Sequence, residues 1–534
     1  MSDERLVARR AGVVGAATML SRVLGLVREQ VMAALFGAGF ATDAFNVAFR
    51  IPNLLRDLFA EGAMSSAFVP IFTEYHQKRG ADEAWALGRQ LMATLFLVLL
   101  AICVVGYGLT PLLVRVFAPG FAAIPGKLDL TVMLTRVMLP FLPAVALAAA
   151  AMGMLNARDS FAVPALAPTM LNLGMVVFGV ALIPVVERFG QPPILAMAMG
   201  VLIGGIGQFA FQLPALGRKG FRLRPEWPSG HPGVRRVALL MTPAAVGLAA
   251  TQVNLFVSTL IASLLEQGSV SWLSYAFRLM QLPIGVFGVA LATVSMPLLA
   301  RAAVDHDLPA LKRTLSATLR LVLLLTVPAA LWLGVMAVPV IALLYQHGRF
   351  HAHDTQQTAW ALGMYCVGLP AFAGVGVLTR TFYALGDTRT PVQASFVSVG
   401  LNLGLNLLFI GPLRSLGLKH AGLALATSAT AITNLLQLAW YLRRRVGPLE
   451  GRRLVNTFWR VGLAAGIAAA LCAVALKLAG PRLGGGWGGE ALEVSGGLVI
   501  ALASGYAAMR VLKVEELSTV TGLAAALKRR ITGG

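Results

Sequence analysis

The chain has 534 residues, of which 57% are hydrophobic and only 13% are charged. Soluble domains carry roughly 25% charged residues, so this composition excludes an ordinary soluble protein and a disordered one and is typical of a polytopic membrane protein. Lys and Arg outnumber Asp and Glu by 44 to 23, which gives a net charge of +21. We expect no nucleic-acid partner, because such binding needs positive charge on a broad solvated face.

The sequence predicts an all-α membrane protein. A helix needs about 20 mostly apolar residues to span a bilayer, and fourteen such stretches follow one another along the chain. In chain order the predicted spans are 11–37, 41–75, 84–109, 128–157, 160–186, 192–217, 233–265, 269–303, 310–345, 355–385, 390–411, 420–444, 455–479 and 491–512. The longest polar connection, 218–236, is too short for a soluble catalytic domain, so we expect no enzymatic activity.

The Lys and Arg residues outside the spans predict the orientation. Twenty-seven of them fall in one alternating set of loops and tails and eight in the other, which places both termini in the cytoplasm. The eight on the predicted outer side are Arg115, Lys127, Arg188, Arg349, Arg414, Lys419, Lys477 and Arg482. Nine more lie within spans or at their edges: Arg22, Arg28, Arg50, Arg56, Arg136, Arg278, Arg320, Arg380 and Arg460.

The cysteines and the N-terminus add two smaller predictions. Cys103, Cys366 and Cys472 each lie in an apolar run, which predicts buried structural thiols rather than a disulfide framework. The first apolar stretch runs to Phe36 without a clear cleavage site, so we expect a retained helix and not a signal peptide.

Two stretches of the chain resemble each other and predict an internal repeat. Leu139-Pro140 precedes Asn172-Leu173-Gly174 by 32 residues, and Leu369-Pro370 precedes Asn402-Leu403-Gly404 by the same interval. A second pair of similar segments is Ala48-Phe49-Arg50 and Ala276-Phe277-Arg278. The repeat predicts an N-lobe at 1–220 (spans 1–6), a C-lobe at 221–445 (spans 7–12), and two further spans with a tail at 446–534. Transporters built from parallel repeats hold substrate between the lobes, although chance similarity between Pro- and Gly-rich helices is the alternative.

Ionisable residues recur inside the predicted spans, where an arginine costs about 2.5–3.5 kcal/mol on insertion scales. In the first span Arg22 and Glu29 fall on one polar stripe, and Arg28 lies beside it. A second stripe, at spacings near seven and four, consists of Asp43, Arg50, Asp57 and Glu61. The eighth span adds Arg278 and Gln281 on one face.

Two interpretations of these charges are open. In the functional one they line a cavity, and since guanidinium groups suit bidentate recognition of phosphate, the substrate is an anionic, phosphorylated lipid. In the structural one Arg22 pairs with Glu29, and Arg50 or Arg56 pairs with Asp57, to hold the helices together. Three other arginines lie where a long side chain reaches the membrane surface: Arg136, Arg320 and Arg460.

Other motifs are weaker. Gly126-Lys127 is followed by Leu128 and not by the Ser or Thr of a phosphate-binding loop, so no built-in ATPase is predicted. The segment 347–354 holds His and Asp residues that could bind a metal, but a solvated loop is the simpler interpretation and we predict no metal site. Asn402 and Asn406 could bind a monovalent cation together with Asn254 or Thr427, whereas hydrogen bonding between helices is the commoner use of such residues.

The first eighty residues carry the most specific motifs. They are 19–29 (MLSRVLGLVRE), 36–39 (FGAG), 41–45 (ATDAF), 52–56 (PNLLR) and 59–63 (FAEGA), followed further along by 269–272 (SVSW), 278–280 (RLM) and 285–290 (GVFGVA). With these motifs the chain resembles, over nearly its whole length, the MurJ (MviN) family of lipid II flippases of peptidoglycan synthesis. The resemblance implies the fourteen-span, two-lobed fold of the multidrug/oligosaccharidyl-lipid/polysaccharide exporters, in a bacterial cytoplasmic (inner) membrane.

The resemblance also implies a substrate and its site. The substrate is lipid II, an undecaprenyl-diphosphate-linked disaccharide-pentapeptide, flipped from the cytoplasmic to the periplasmic leaflet by alternating access. Membrane lipids are implied as partners, and contact with the cell-wall synthesis machinery is left open. The matching positions for the head group are Arg22, Arg28, Arg56 and Arg278, with Asp43, Ser271 and Glu61 completing the predicted set and Asp43 placed in the outward gate. The last two spans are implied to form a groove for the undecaprenyl tail.

The chain departs from the family pattern at two positions. Gln281 and Phe277 stand where some members carry a carboxylate, so a mechanism that needs acids there is not expected. No cofactor is expected, and coupling to a monovalent cation or to the membrane potential is the open question of energy supply. The alternative function is a cation-coupled drug or oligosaccharide-lipid exporter of the same fold. A membrane-embedded glycosyltransferase or phosphatase is disfavoured by the short loops.

Overall fold

The computed structural model describes residues 3–59, 62–224, 226–413, 415, 417–480 and 486–518. Every regular element in these ranges is a helix, which confirms the predicted all-α class. The main helices are α1 (Asp3–Phe36), α2 (Phe40–Phe59), α3 (Gly62–Arg79), α4 (Ala81–Phe117), α5 (Lys127–Ala157), α6 (Ala162–Ala181), α7 (Ile194–Arg218), α8 (Pro232–Ser263), α9 (Ser269–Val304), α10 (Leu308–Val335), α11 (Ala337–Tyr345), α12 (Ala352–Ala384), α13 (Arg389–Ile410), α14 (Lys419–Val446), α15 (Gly451–Ala479) and α16 (Trp487–Val511).

Eleven helices of the described ranges are long and apolar enough to cross a membrane. They are α4 to α7, α9, α10 and α12 to α16, and each coincides with one predicted span, so the chain is a multi-pass membrane protein. The other three predicted spans, 11–37, 41–75 and 233–265, correspond to α1, to α2 with α3, and to α8. The helices α1 and α2 carry three of the four candidate arginines, namely Arg22, Arg28 and Arg56.

The chain divides into two compact units, Met1–Ser271 and Trp272–Gly534. In the first unit α5 is mostly buried at the centre, and rings from α3, α4 and α5 fill the core around it: Phe68, Phe72, Trp85 and Phe141. The helices α6 and α7 approach backbone to backbone, because a Cβ on Gly174 would lie 2.4 Å from the Cα of Gly204. Small residues at such a crossing permit close packing where lipid offers no hydrophobic driving force.

The second unit has two buried apolar clusters. One joins α9, α10, α12 and α14 through residues that include Leu311, Val377 and Leu438. The other joins α10, α15 and α16 to the segment that follows α16, through Leu324, Val461, Met509 and Val514. The predicted lobe limits at 220 and 445 describe the internal repeat and stay a prediction.

Candidate functional site

Arg28 on α1 is buried and held by several polar contacts. Its Nε and Nη2 donate to Glu29 Oε1 at 3.1 and 2.6 Å, and its Nη1 donates to Asn172 Oδ1 at 3.0 Å. The amide of Asn172 also donates to the backbone oxygen of Ser21 at 3.0 Å. Asn172, on α6, therefore binds both the backbone of α1 and the guanidinium group of Arg28. Arg28 and Glu29 are each only 8% exposed. Glu29 therefore pairs with Arg28 and not, as the structural interpretation proposes, with Arg22.

Arg22 lies on the same helix and is half-buried. Its guanidinium has no hydrogen-bond or ion-pair partner among the residues that the structure describes. A half-buried cation without a counter-charge is costly in an apolar environment. An anionic ligand at this position would remove that cost.

Arg56 on α2 is paired with its neighbour Asp57. The Nη2 and Nε atoms of Arg56 lie 2.7 and 3.1 Å from Asp57 Oδ1, and Oδ2 accepts a hydrogen bond from Gln252 of α8 at 3.0 Å. The two side chains keep 22% and 20% of their surface exposed, against 10% for each side chain of the Arg28–Glu29 pair. The Arg56 pair is therefore the more accessible of the two.

Arg50 lies six residues before Arg56 on α2 and also contacts α8. It donates to the hydroxyl of Thr259 and to the backbone oxygen of Leu255. Polar contacts at two places on α2, Arg50 and Asp57, thus connect this helix to α8.

Asp43, at the start of α2, is the centre of a buried polar cluster. Its Oδ1 accepts from the hydroxyl of Ser271 at 2.6 Å and from the Ser271 backbone N–H at 2.9 Å. Its Oδ2 accepts from Lys127 Nζ at 2.9 Å and from the Gly268 backbone N–H at 2.8 Å. Asp43 thus caps the N-terminus of α9, where free N–H groups and the helix dipole favour a carboxylate. The structure brings together the two predicted site residues Asp43 and Ser271.

Lys127 was missed as a site residue. Counting it as a loop charge was wrong, because its side chain is 1% exposed and makes a buried ion pair with Asp43. Its ammonium also lies 4.3 Å from the centre of the Phe121 ring, within the range of a cation–π contact. One clue was available in the sequence: a carboxylate in an apolar helix needs a counter-charge, and Lys127 begins a span on the predicted outer side, where Asp43 also lies.

Arg278, the fourth candidate arginine, belongs to the second unit, where it is half-buried on α9. Its neighbour Phe277 packs edge-on against Tyr365 of α12, with ring centres 5.4 Å apart. Gln281, the other position that departs from the family pattern, is exposed. Glu61 lies outside the described residues.

Asn402 and Asn406 on α13 are completely buried. Asn406 Nδ2 donates to Asn402 Oδ1 at 2.7 Å, and Asn402 Nδ2 lies 3.4 Å from the hydroxyl of Thr430 on α14. The oxygen of Asn406 has no hydrogen-bond partner in the described ranges. Hydrogen bonding within α13 accounts for the oxygen of Asn402, whereas the oxygen of Asn406 is buried without a partner among the described residues.

The segment 347–354 serves to start a helix. Asp354 Oδ2 accepts from the backbone N–H of His351 at 3.1 Å, which is half of a capping box for α12. Its Oδ1 accepts from Trp272 Nε1 of α9 at 2.9 Å. Within the described ranges no three His, Cys, Asp or Glu side chains are grouped so that they could hold a metal ion.

An apolar cavity of about 550 Å³ lies within the second unit, between α9, α10, α11, α15 and α16. Its lining includes Leu324, Trp332, Ala468, Leu502 and Leu517. Leu502 is 65% exposed, so the cavity is open along α16. This volume falls in the range of about 300–1,000 Å³ that small-molecule sites have, and the lining suits a hydrocarbon chain.

The loop between α7 and α8 is fastened to α4. Glu226 accepts from Arg89 and, at 3.0 Å, from Gln90 Nε2, while Ser229 donates to Gln90 Oε1 at 2.9 Å through its backbone and 3.1 Å through its hydroxyl. Burial alone would raise the pKa of Glu226, but the hydrogen bonds from Arg89 and Gln90 outweigh it and lower the pKa below its ordinary value. The loop is therefore held by an ionised carboxylate.

The chain is similar in sequence to proteins of one family. A family model described as "Lipid II flippase MurJ" matches residues 32–482. The chain is 40% identical over 432 residues to the lipid II flippase MurJ of Burkholderia cenocepacia, which covers 80% of this chain and 82% of the relative. It is 37% identical over 433 residues to the probable lipid II flippase MurJ of Vibrio cholerae, which covers 80% and 81%.

Two solved structures are similar to the fold. One is described as lipid II flippase MurJ in an inward closed conformation, with a TM-score of 0.77, 26% identity, and coverage of 93% of this chain and 99% of that chain. The other is an inward-facing multidrug resistance transporter of the MATE family in the MOP superfamily, with a TM-score of 0.65, 14% identity, and coverage of 83% and 99%. At 14% identity the second similarity concerns the fold alone.

Proposed function

Because the chain belongs to the MurJ family of lipid II flippases, we propose that it moves lipid II from the cytoplasmic to the periplasmic leaflet by alternating access. The names of its relatives support this function over the alternative of a cation-coupled drug exporter, since the drug transporter shares only the fold. Flipping makes and breaks no covalent bond, so the chain acts as a transporter and not as an enzyme.

The observation that carries the proposed head-group site is the way α1 and α2 present their arginines. Arg28 and Arg56 each hold a carboxylate through Nε and Nη2, the two donors with which a guanidinium also binds phosphate. We propose that the diphosphate of lipid II takes these donors over from Glu29 and Asp57. In the empty protein each pair is then neutral, which limits the cost of keeping guanidinium groups in an apolar site.

The remaining members of the site have complementary roles in this proposal. Arg22 brings positive charge that no carboxylate of the described residues offsets, so it attracts the diphosphate before any pair has opened. Arg278, Ser271 and Glu61 complete the proposed set of substrate-binding residues. The substrate is anionic and large, and several separate donors suit it better than one.

We assign the Asp43 cluster to the outward gate. The cluster joins the start of α2 to the start of α9 and to Lys127 at the start of α5, through five polar groups that are all buried. Opening that joint would separate a carboxylate from its counter-charge and from the amides of a helix end, so the closed state is favoured while no substrate is bound.

The apolar cavity of the second unit is the proposed groove for the undecaprenyl tail. Its walls include α15 and α16, the last two predicted spans, and its open side along Leu502 lets a chain enter from the bilayer. The tail then stays in a hydrocarbon environment while the head group crosses.

The proposed topology has fourteen spans, with α1, α2–α3 and α8 added to the eleven apolar helices, and both termini in the cytoplasm. The excess of Lys and Arg on one side supports this orientation in a bacterial inner membrane. An inside-negative potential favours outward movement of an anionic head group by about 2.3 kcal/mol per charge per 100 mV. Coupling to a monovalent cation that binds at the open oxygen of Asn406, beside Asn402, is a second proposed source of energy. Membrane lipids and cell-wall synthesis proteins are the proposed partners.

Depletion of the protein in its source bacterium tests the proposed function. We expect lipid II to accumulate in the cytoplasmic leaflet, because synthesis continues while transfer stops. Accumulation in the periplasmic leaflet, or an unchanged lipid II pool, would contradict the proposal.

A further inference from the structure

The chain folds back on itself after α16. It turns at Lys513, whose φ is 52°, and the backbone N–H groups of Lys513 and Val514 donate to the oxygens of Arg510 and Met509 at 3.1 and 3.0 Å. These two bonds form a Schellman cap, in which the residue after the turn packs against the last helical turn. Here Val514 packs into the same buried cluster as Met509 and Leu324.

Glu516 fastens the returning segment to two other helices. Its carboxylate lies 3.0 Å from Arg320 Nη1 of α10 and accepts from the hydroxyl of Thr457 of α15 at 3.1 Å. Arg460, also on α15, donates to the backbone oxygen of Lys513 at 2.9 Å. The side chain of Glu516 is 7% exposed, so this is a buried connection and not a surface ion pair.

The segment fastened in this way separates two different environments. On one side Leu517 lines the apolar cavity together with Leu324 and Met509. On the other side a small polar pocket is lined by Glu516 itself and by residues such as Asn456 and Thr457. The chain between Lys513 and Leu517 therefore stands where the cavity ends.

We propose that residues 513–517 form the end wall of the apolar cavity and that Glu516 is the positioning residue that holds this wall shut. The inference rests on the proposed tail groove and adds a limit to it. Along α16 the lining runs from Leu498 to Met509, which is roughly 16 Å of helix at 1.5 Å per residue. A fully extended undecaprenyl chain is much longer, so only part of it fits while the wall is closed and the rest leaves through the open side. The wall thereby limits how deeply the tail enters the apolar cavity, and this depth limits how far the attached head group extends from the cavity.

Cysteine protection by lipid probes of two lengths tests the wall. One reporter, Leu502→Cys, lies in the cavity, and the other, Asn456→Cys, lies in the polar pocket beyond the wall. Full-length protein is labelled with N-ethylmaleimide in the presence of farnesyl phosphate or undecaprenyl phosphate. The parent chain gives the background, since its three cysteines are buried. Each reporter is combined with Glu516→Ala or with the matched control Glu515→Ala, a neighbour that lies 3.6 Å from the same Arg320 but is 77% exposed.

We expect both probes to protect Leu502→Cys in every background, by roughly tenfold at a probe concentration about ten times its Kd. In the parent chain and in the Glu515→Ala variant, we expect neither probe to protect Asn456→Cys. In the Glu516→Ala variant, we expect undecaprenyl phosphate to protect Asn456→Cys and farnesyl phosphate to leave it unprotected. Retained protection of Leu502→Cys shows that the Glu516→Ala cavity is still folded. Protection of Asn456→Cys in the parent, or equal behaviour of the two alanine variants, overturns the wall while the groove stands. Absence of protection at Leu502→Cys overturns the proposed groove and the wall with it.

Discussion

The hydroxyl of Ser271 donates to Asp43 at 2.6 Å, although the two residues are 228 positions apart in the chain. The same offset separates Ala48-Phe49-Arg50 from Ala276-Phe277-Arg278. Asp43 and Ser271 therefore occupy equivalent positions of the proposed repeat and bind each other. In the proposed repeat, one copy contributes a carboxylate and the other contributes the hydroxyl and the helix N-terminus that bind it.

Replacing Asp43 should affect transport more than replacing Ser271. Ser271→Ala removes one hydroxyl donor but keeps the backbone N–H to Asp43, a loss of about 1.5–3 kcal/mol for one hydrogen bond to a charged group. Asp43→Asn removes the charge that balances buried Lys127, which costs about 3–5 kcal/mol for a broken buried pair. Growth of the source bacterium on each variant as the only copy is the measurement. Equal growth defects in the two variants would contradict the assignment of the charge as the main contact.

Lys127→Met should be as damaging as Asp43→Asn, and the double variant should recover. Each single change leaves one buried charge without its partner, whereas the pair of neutral side chains leaves none. Thermal unfolding of the purified protein measures the coupling, with Lys219→Met in the exposed loop as the control. Additive destabilisation in the double variant would show that the two charges do not depend on each other.

Arg28→Lys should impair transport even though it keeps the positive charge. A lysine ammonium cannot present the paired Nε and Nη2 donors, and loss of one charge-assisted hydrogen bond costs about 1.5–3 kcal/mol, roughly 10- to 100-fold in affinity. Arg136→Lys serves as the control, because Arg136 contacts only Tyr107 among the residues for which contacts are described. The measurement is lipid II binding by each purified variant, and wild-type affinity for Arg28→Lys would remove bidentate phosphate binding from the account.

The loop 219–231 should loosen in acid. The folded-state pKa of Glu226 lies below its ordinary value of 4.5, so its contribution is fully present above that value and is lost as the pH falls through the lowered pKa. Hydrogen exchange of the loop should therefore increase between neutral pH and a pH below 4.5 after correction for intrinsic rates. Glu226→Gln should make loop exchange equal at the two pH values, and an unchanged pH response in that variant would assign the effect to another group.

The sequence was sufficient for the helices but not for all of their contacts. Long apolar runs predicted fourteen spans, including all eleven helices of the described ranges that are long and apolar enough to cross a membrane, because burial in a bilayer imposes length and hydropathy directly on each stretch. The pairing of Asp43 with Ser271 was not visible from spacing, since hydrogen bonds between distant helices leave no periodic pattern. The polar stripe of the second span already included Asp43, whereas only the family resemblance singled out Ser271, and the structure shows that the two residues bind each other.

Lys127 and Glu516 show why the remainder was missed. Both lie within a few residues of a helix end, where hydropathy suggests a solvated charge, and both are nevertheless buried by a partner from another helix. A single sequence does not contain that partner's position. Asn172 was noted for its place in a repeated motif, yet its contact with Arg28 depends on how α6 packs against α1.

The measurement that tests the account most directly is lipid II transfer by the purified protein in sealed vesicles. An amine-reactive reagent that does not cross the membrane labels only lipid II in the outer leaflet. An even distribution places about half of the lipid II in the outer leaflet. With the wild-type protein we expect the labelled fraction of lipid II to rise from about half towards completion. With the Arg28→Lys variant we expect it to stay near half. A labelled fraction that stays near half with the wild-type protein, or one that rises equally with Arg28→Lys, would contradict the claim that this chain flips lipid II by means of its intramembrane arginines.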